Sequence, residues 1–169
     1  MVRSGLAVAL TALSMALAGC GLGTRADAAK GVERFLTAAQ ARDQIGFEAR
    51  IDRPALRQDL RRQLAEVARG SALDIEGGPS DAALDRMIAP EAFQLVRAET
   101  GQALPSAPSS AQLAVLMKVL GAKRVCLRDL TAEERCLLTF AKGTGQRGWR
   151  LVAMQATDLQ IQVAGPPPR

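Results

Sequence analysis

Histidine, tyrosine and asparagine are absent from this chain of 169 residues, and aromatic residues make up only 3% of it. Without histidine there is no imidazole acid or base, no Ser–His or Cys–His nucleophile and no His-ligated zinc. Without asparagine there is no acceptor for N-linked glycosylation. Four Phe and one Trp are too few for the stacking platforms that hold single-stranded nucleic acid. Cysteine is scarce, at 3, and the C-x-x-C spacing of redox and metal sites does not occur. Hydrophobic residues at 48% against 23% charged nevertheless supply enough apolar surface for a packed core, and the length fits one domain. The formal charge of +5 arises from 22 basic and 17 acidic residues dispersed along the chain, a weak preference for anionic partners.

What is present begins at the N-terminus. Arg3 precedes Gly5 to Leu17 (GLAVALTALSMAL), an uncharged apolar run. Crossing ~30 Å of hydrocarbon takes about 20 apolar residues, so this run is too short to span and has the length and order of a signal-peptide core. It ends in Leu17-Ala18-Gly19-Cys20, which resembles the lipobox of bacterial lipoproteins. The resemblance implies a signal peptide over residues 1–19, cleavage before Cys20, and a Cys20 that carries a diacylglycerol and further acyl groups such as palmitate. One acyl chain binds a membrane marginally at about 0.8 kcal/mol per buried methylene, whereas several on one cysteine hold durably. Gly21 rather than Asp after the cysteine favours, by the same resemblance, the outer membrane with the domain facing the periplasm. Inner-membrane retention is the alternative, and a soluble secreted protein is the plainer reading of the same residues. Residues 20–30 read as a lipidated tether, 31–164 as a single domain and 165–169 as a Pro-rich tail.

With Cys20 acylated, Cys126 and Cys136 are the one pair left in an oxidising compartment. They flank a polar turn between two strand-like runs. Pairing sets both thiols on one face, directly opposed, at the cross-strand spacing of about 5.5 Å or less that a disulfide needs. A staple closing so small a loop contributes about 3 kcal/mol in the chain-entropy picture.

Helical patterns come first. Val32, Phe35, Leu36 and Ala39 form one stripe; Leu56, Leu60, Leu64 and Val67 form another that starts at Pro54 and stops at Gly70. Ser80 caps a short helix through Ile88, Pro90 starts one over Glu91–Glu99, and Ser109 or Ser110 caps one reaching Leu120. The period then changes to two: Lys123–Leu130, Glu134–Ala141 and Trp149–Gln155 read as strands, with Leu159, Ile161 and Val163 a fourth. The predicted class is α+β, with N-terminal helices packed on a C-terminal antiparallel sheet of three to four strands. The faces of the first hairpin are ambiguous in the sequence: Val125, Leu127 and Leu137 fall on one side and Cys126, Cys136, Leu138 and Phe140 on the other, which leaves open whether both are covered.

Asp52, Ala55-Leu56-Arg57, Leu60 and Gln63-Leu64, followed late in the chain by Leu138-Thr-Phe140 and Gly148-Trp-Arg-Leu-Val152, resemble a family of small bacterial envelope proteins of unknown function. The likeness covers roughly residues 30–156. Helix-then-sheet order is similar to cone-shaped NTF2-like or cystatin-like domains, which implies a pocket between helices and a curved sheet. The longer helical middle, residues 71–120, departs from that pattern. The family carries no active site to transfer.

Gly143-Thr-Gly145-Gln-Arg-Gly148 matches G-x-G-x-x-G by letters, but it leads into a strand rather than a helix and reads as a hairpin turn. Arg53, Arg57 and Arg61, at fourfold spacing, are candidate ligands for an anion or lipid headgroup; a solvated helix face with i,i+4 pairs is the bland alternative. Trp149 is a candidate pocket wall or a core-closing residue. Asp81 with Asp85, and Glu133 with Glu134, fit capping and turns better than acid–base work. The reading names no catalytic residue, no metal ligand and no cofactor. It expects a non-enzymatic, lipid-anchored envelope protein that contacts the membrane through acyl chains and binds an envelope protein, or alternatively carries a small molecule or lipid; nucleic acid is not an expected partner.

Overall fold

The structure is a computed structural model that describes residues 5–70, 78–98, 100–128, 135–145, 148–156 and 160–163, with side chains from Gly23 onward except those of Gln160, Gln162 and Val163. Arg3, the Cys20 side chain, Glu99, Glu133, Glu134 and the tail 165–169 lie outside the described residues. Helix α1 runs Gly5–Gln40. The segment expected as a tether, residues 20–30, is therefore helical, and Ala28 and Ala29 within it are fully buried. Alanine is the strongest helix former, so nothing in Ala26-Asp27-Ala28-Ala29 halts a helix that has apolar surface to cover.

Val32, Phe35, Leu36 and Ala39 are buried, as the stripe predicts. The helix stops in a Schellman-type cap, in which Asp43 N–H donates to Ala38 O (2.9 Å), Arg42 N–H donates to Ala39 O (3.1 Å), and Arg42 takes the left-handed conformation at φ 51°. Asp43 then caps the short α2, Gln44–Glu48, by accepting from Gly46 N–H at 3.0 Å. Helix α3 spans Arg53–Gly70; Leu56 and Leu60 are buried, Leu64 is half-buried, and Val67 at the end of the stripe is 59% exposed. Ser80 caps α4, Asp81–Met87, which buries Leu84 and, just past its end, Ile88.

Two predicted helices are corrected. A single 3₁₀ turn, Pro90–Ala92, replaces the expected helix Glu91–Glu99, and Gln94–Arg97 is strand β1. Helix α5, capped by Ser109 through a capping box with Gln112, covers only Ser110–Leu116; Met117–Gly121 is strand β2. Leu113, Leu116, Met117 and Leu120 imitate a helical stripe, but Leu120 is 46% exposed, and Met117 and Lys118 alternate in and out. Strands β3 (Arg124–Arg128), β4 (Cys136–Lys142), β5 (Trp149–Met154) and β6 (Gln160–Val163) follow.

The architecture is α+β: helices in the N-terminal part and an antiparallel sheet in the order β2-β3-β4-β5. Its fourth strand is β2, not the C-terminal strand expected there. β6 pairs in parallel with β1, in the register Leu95↔Ile161, as a separate two-stranded sheet. Both of those partners are buried, which is what draws residues so far apart in sequence together.

The register also resolves the two faces of the first hairpin. Val125 pairs with Phe140 and Leu127 with Leu138, so these four share one face. The next pair is Arg128 with Cys136, so Leu137 is an extra residue, a β-bulge in β4. That single insertion turns Cys136 onto the opposite face, where Cys126 sits across from Thr139. The Cys126–Cys136 disulfide closes there with Cα atoms 5.5 Å apart, between diagonal rather than directly opposed positions. The hairpin is covered on both faces, but the partition is Val125, Leu127, Leu138 and Phe140 against Cys126, Thr139 and Cys136.

All four phenylalanines of the chain meet in one cluster. The Phe35 ring centroid lies 5.4 Å from Phe47, 5.1 Å from Phe93 and 5.5 Å from Phe140, which joins α1 to α2, to the start of β1 and to β4. Such pairs add about 0.5–1.5 kcal/mol beyond the area they bury. Gly31 lets α1 approach β5: a Cβ there would lie 2.7 Å from Trp149 Cβ. Phe35→Ala is expected to lower the unfolding free energy by about 3–5 kcal/mol in urea denaturation, and a loss under about 1 kcal/mol would remove Phe35 from the centre of the core. The Cys126→Ser, Cys136→Ser double variant is expected to lose about 3 kcal/mol by the same measurement; equal stability with and without the bond would show that its loop is already ordered when reduced.

Candidate functional site

The outer edge of the sheet, strand β5, is where the functional side chains gather. An unpaired edge exposes a row of backbone donors and acceptors. Here two pieces of chain take them up. Arg50, Ile51 and Asp52 run beside β5 as a short parallel bridge, with Leu151 N–H donating to Arg50 O (2.9 Å) and Asp52 N–H to Leu151 O (2.8 Å). Further along, α3 supplies side chains: Asp59 accepts from Met154 N–H (3.3 Å), while Gln63 donates to Met154 O (2.7 Å) and accepts from Ala156 N–H (2.9 Å).

Arg53, Arg57 and Arg61 project from α3 toward α4, not toward a ligand space. Arg53 pairs with Glu48 and reaches Asp85 at 2.9 Å. Arg57 grips both carboxylate oxygens of Asp85, Nε at 2.8 Å and Nη2 on the second oxygen, and also reaches Asp81 at 3.3 Å. Arg61 pairs with Asp81. The candidate headgroup ligands are thus neutralised by carboxylates of two other elements, and the i,i+4 pairing expected as their alternative is replaced by pairing between helices. Asp81 and Asp85 are held in the same network. The Arg57 guanidinium fork, with help from Arg53, lowers the Asp85 carboxyl from its ordinary 3.8 to about 2, the reverse of what a general acid near neutrality needs.

Trp149 is 5% exposed, and its indole N–H donates to Asp27 at 3.0 Å. The same Asp27 oxygen pairs with Lys142 Nζ at 2.6 Å, and that ammonium lies 5.9 Å from the centre of the Trp149 ring. Lys142 first, then the indole, hold the Asp27 carboxyl below its usual range. Trp149 therefore closes the core and also borders a cleft of about 510 Å³ opening beside the start of β5. The cleft is lined by Gly31, Arg34, Ala49, Arg50, Gly148, Trp149 and Arg150. A neighbouring groove of about 380 Å³ shares Arg34 and Arg50 and continues along α1 past Glu33 and Thr37 to Asp43, the cap of α2.

Of the candidate site residues named from the sequence, only Trp149 enters this cleft; Gly148 and Arg150 border it too, but the sequence offers them only as parts of the Gly143–Gly148 turn and the Gly148–Val152 motif. Arg34, Arg50 and Arg150 were missed as a set. They come from α1, the α2–α3 link and β5, and no spacing within one element relates them. The visible signals were Arg34 standing off the apolar stripe of α1 and Arg150 adjoining Trp149. The G-x-G-x-x-G segment is the turn between antiparallel β4 and β5, with Gly143 N–H donating to Gly148 O at 3.1 Å and Gly145 at φ 68°. Among the described residues, no group of three or more His, Cys, Asp or Glu is placed to hold a metal ion. No protein-family model, no curated protein and no solved structure matches this chain.

The Arg57–Asp85 fork predicts a pH signature. The folded-state value of Asp85 lies below its unfolded value, so its contribution is complete above the ordinary 3.8 and is lost as pH falls toward about 2. Asp85 is 35% exposed, and solvent screening holds the effect of Asp85→Asn at neutral pH to about 1 kcal/mol. Urea denaturation of both proteins is expected to show the gap closing across that acid interval; a gap unchanged at the acid end would mean that Asp85 acts through packing rather than charge.

Proposed function

We propose that this chain is a lipid-anchored bacterial envelope lipoprotein without enzymatic activity, whose α+β domain faces the periplasm and serves as a partner-binding or accessory structural unit. The Cys126–Cys136 disulfide carries this reading. Disulfides persist in oxidising compartments, and this bond leaves Cys20 as the single remaining thiol, placed directly behind the uncharged run Gly5 to Leu17. The course of α1 adds to it. Asp27, seven positions beyond Cys20, is tied to Lys142 and Trp149 of the sheet. A helix rises about 1.5 Å per residue, so an acylated Cys20 would hold the domain about 10 Å from its anchor rather than on a loose tether. Among the described residues no helix is long and apolar enough to cross a membrane, so membrane attachment in this reading comes from acyl chains.

The carrier alternative draws support from one observation, the open cleft beside Trp149. Between α1 and the sheet the space is taken by Phe35, Phe47 and Phe140, all fully buried, so a ligand is better accommodated at the edge than between the layers.

Cys20→Ser is the decisive variant. Expressed in a bacterium with two membranes, the native chain is expected to take up labelled palmitate and sediment with membranes, while Cys20→Ser does neither. A native chain that stays unlabelled, or a variant that still sediments, would overturn the anchor.

A further inference from the structure

We propose that the cleft bounded by Arg34, Arg50, Arg150 and Trp149 binds the phosphate group of an anionic ligand. This rests on the geometry of the cleft and stands whether or not Cys20 is acylated. The first ground is a contrast in charge pairing within one small region. Arg53, Arg57 and Arg61 are each matched by Glu48, Asp81 or Asp85. The three arginines of the cleft have no carboxylate partner among the described residues. Arg50 donates to Gly46 O and Arg150 to Ile51 O, which orients the two guanidinium groups without neutralising them. Arg34 stands exposed on α1 with no acceptor among the described residues.

The second ground is an unmet donor. Arg150 Nε is closed to solvent and has no hydrogen-bond partner, one of two such side-chain atoms among the described residues, so a ligand in the cleft meets it only through a shift of the Arg150 side chain. A buried donor left unsatisfied costs roughly 1–3 kcal/mol, and the protein offers this one no acceptor. The third is the lining. Among the described residues, none that borders the 510 Å³ cleft is acidic. Carboxylates on the adjoining segments are engaged or line the neighbouring groove: Asp27 accepts from Lys142 and Trp149, Glu48 pairs with Arg53, Asp43 caps α2, and Asp43 and Glu33 line that groove.

The chemistry of the ligand follows from the donors. A single carboxylate accepts one bidentate fork, whereas three guanidinium groups on one cleft offer more N–H donors than it can take. A phosphate brings three acceptor oxygens and a charge of about −1.5 to −2, which matches. The volume is several times that of the anion itself and falls in the usual range of ligand clefts, about 300–1,000 Å³, so the phosphate is carried on a larger body that lies against Gly31, Ala49 and Trp149. A lipid headgroup and a soluble phosphorylated molecule share this chemistry.

The single tryptophan of the chain borders the cleft, so its fluorescence reports occupancy locally. The protein purified as the cell produces it, in neutral detergent, is titrated with inorganic pyrophosphate and, separately, with mixed micelles of phosphatidic acid or of phosphatidylcholine. A saturable change with pyrophosphate, weakened about tenfold or more in Arg34→Gln and unchanged in Arg61→Gln, identifies a site for soluble phosphate groups. The same pattern with phosphatidic acid micelles but not with pyrophosphate or phosphatidylcholine identifies a headgroup site. Arg34 is exposed, so its loss leaves the core intact; Arg50→Lys, which keeps the charge and removes the fork, is expected to weaken binding in the same direction. No saturable change with any probe, or binding that Arg34→Gln leaves as it was, overturns the proposal.

Discussion

The meeting of four phenylalanines is the contact on which the rest of this structure depends. Phe35 touches Phe47, Phe93 and Phe140, and Phe47 also lies 5.6 Å from Phe93. Those rings come from α1, α2, the segment entering β1 and strand β4, so one cluster fixes four pieces of chain that no hydrogen-bond ladder connects. A chain with so few aromatics has placed every phenylalanine at the same point. The consequence reaches outward: with α1 seated on the sheet, Gly31 meets Trp149, Asp27 meets Lys142, and the α2–α3 link is brought alongside β5.

The edge of β5 is the second organising feature. Backbone groups that would otherwise invite another strand are taken up by Arg50–Asp52 and by Asp59 and Gln63 of α3. Covering the edge this way brings Arg50 and Arg150 side by side, with Arg34 across from them on α1, and leaves a cleft where the cover is incomplete. The arginine population divides accordingly. Those on the α3 face turned to α4 are neutralised by Asp81 and Asp85, whereas around the cleft Arg50 and Arg150 meet only carbonyls and Arg34 meets no acceptor among the described residues. Charge counted along the sequence does not reveal this division, because both groups look alike until the carboxylates are placed.

Much of the architecture was legible in local pattern. The stripe of α1, the Ser80 and Ser109 caps, the alternation in β3 to β5, the pairing of Cys126 with Cys136 and the hairpin reading of Gly143 to Gly148 all follow from rules that act within about ten residues. The failures share a cause. Gln94–Arg97 was read as helix because its strand partner, Gln160–Val163, lies at the far end of the chain. Met117–Gly121 was read as the end of a helix because its apolar residues fit either period, and only pairing with β3 chooses between them. The faces of β4 were misassigned because one bulge at Leu137 reverses every residue before it, and a bulge leaves no mark in composition.

By itself, the sequence determined the class, the helical stripes, the identity of the disulfide partners and the exclusion of histidine chemistry, since each depends on residue type or short spacing. Only the tertiary structure decided that residues 27–30 belong to the domain, that Arg53, Arg57 and Arg61 face carboxylates, and that Arg34, Arg50 and Arg150 line a common cleft beside Trp149. These outcomes depend on which surfaces α1 and α3 bury against the sheet, a choice made by the summed apolar contact of the whole core and written in no single segment.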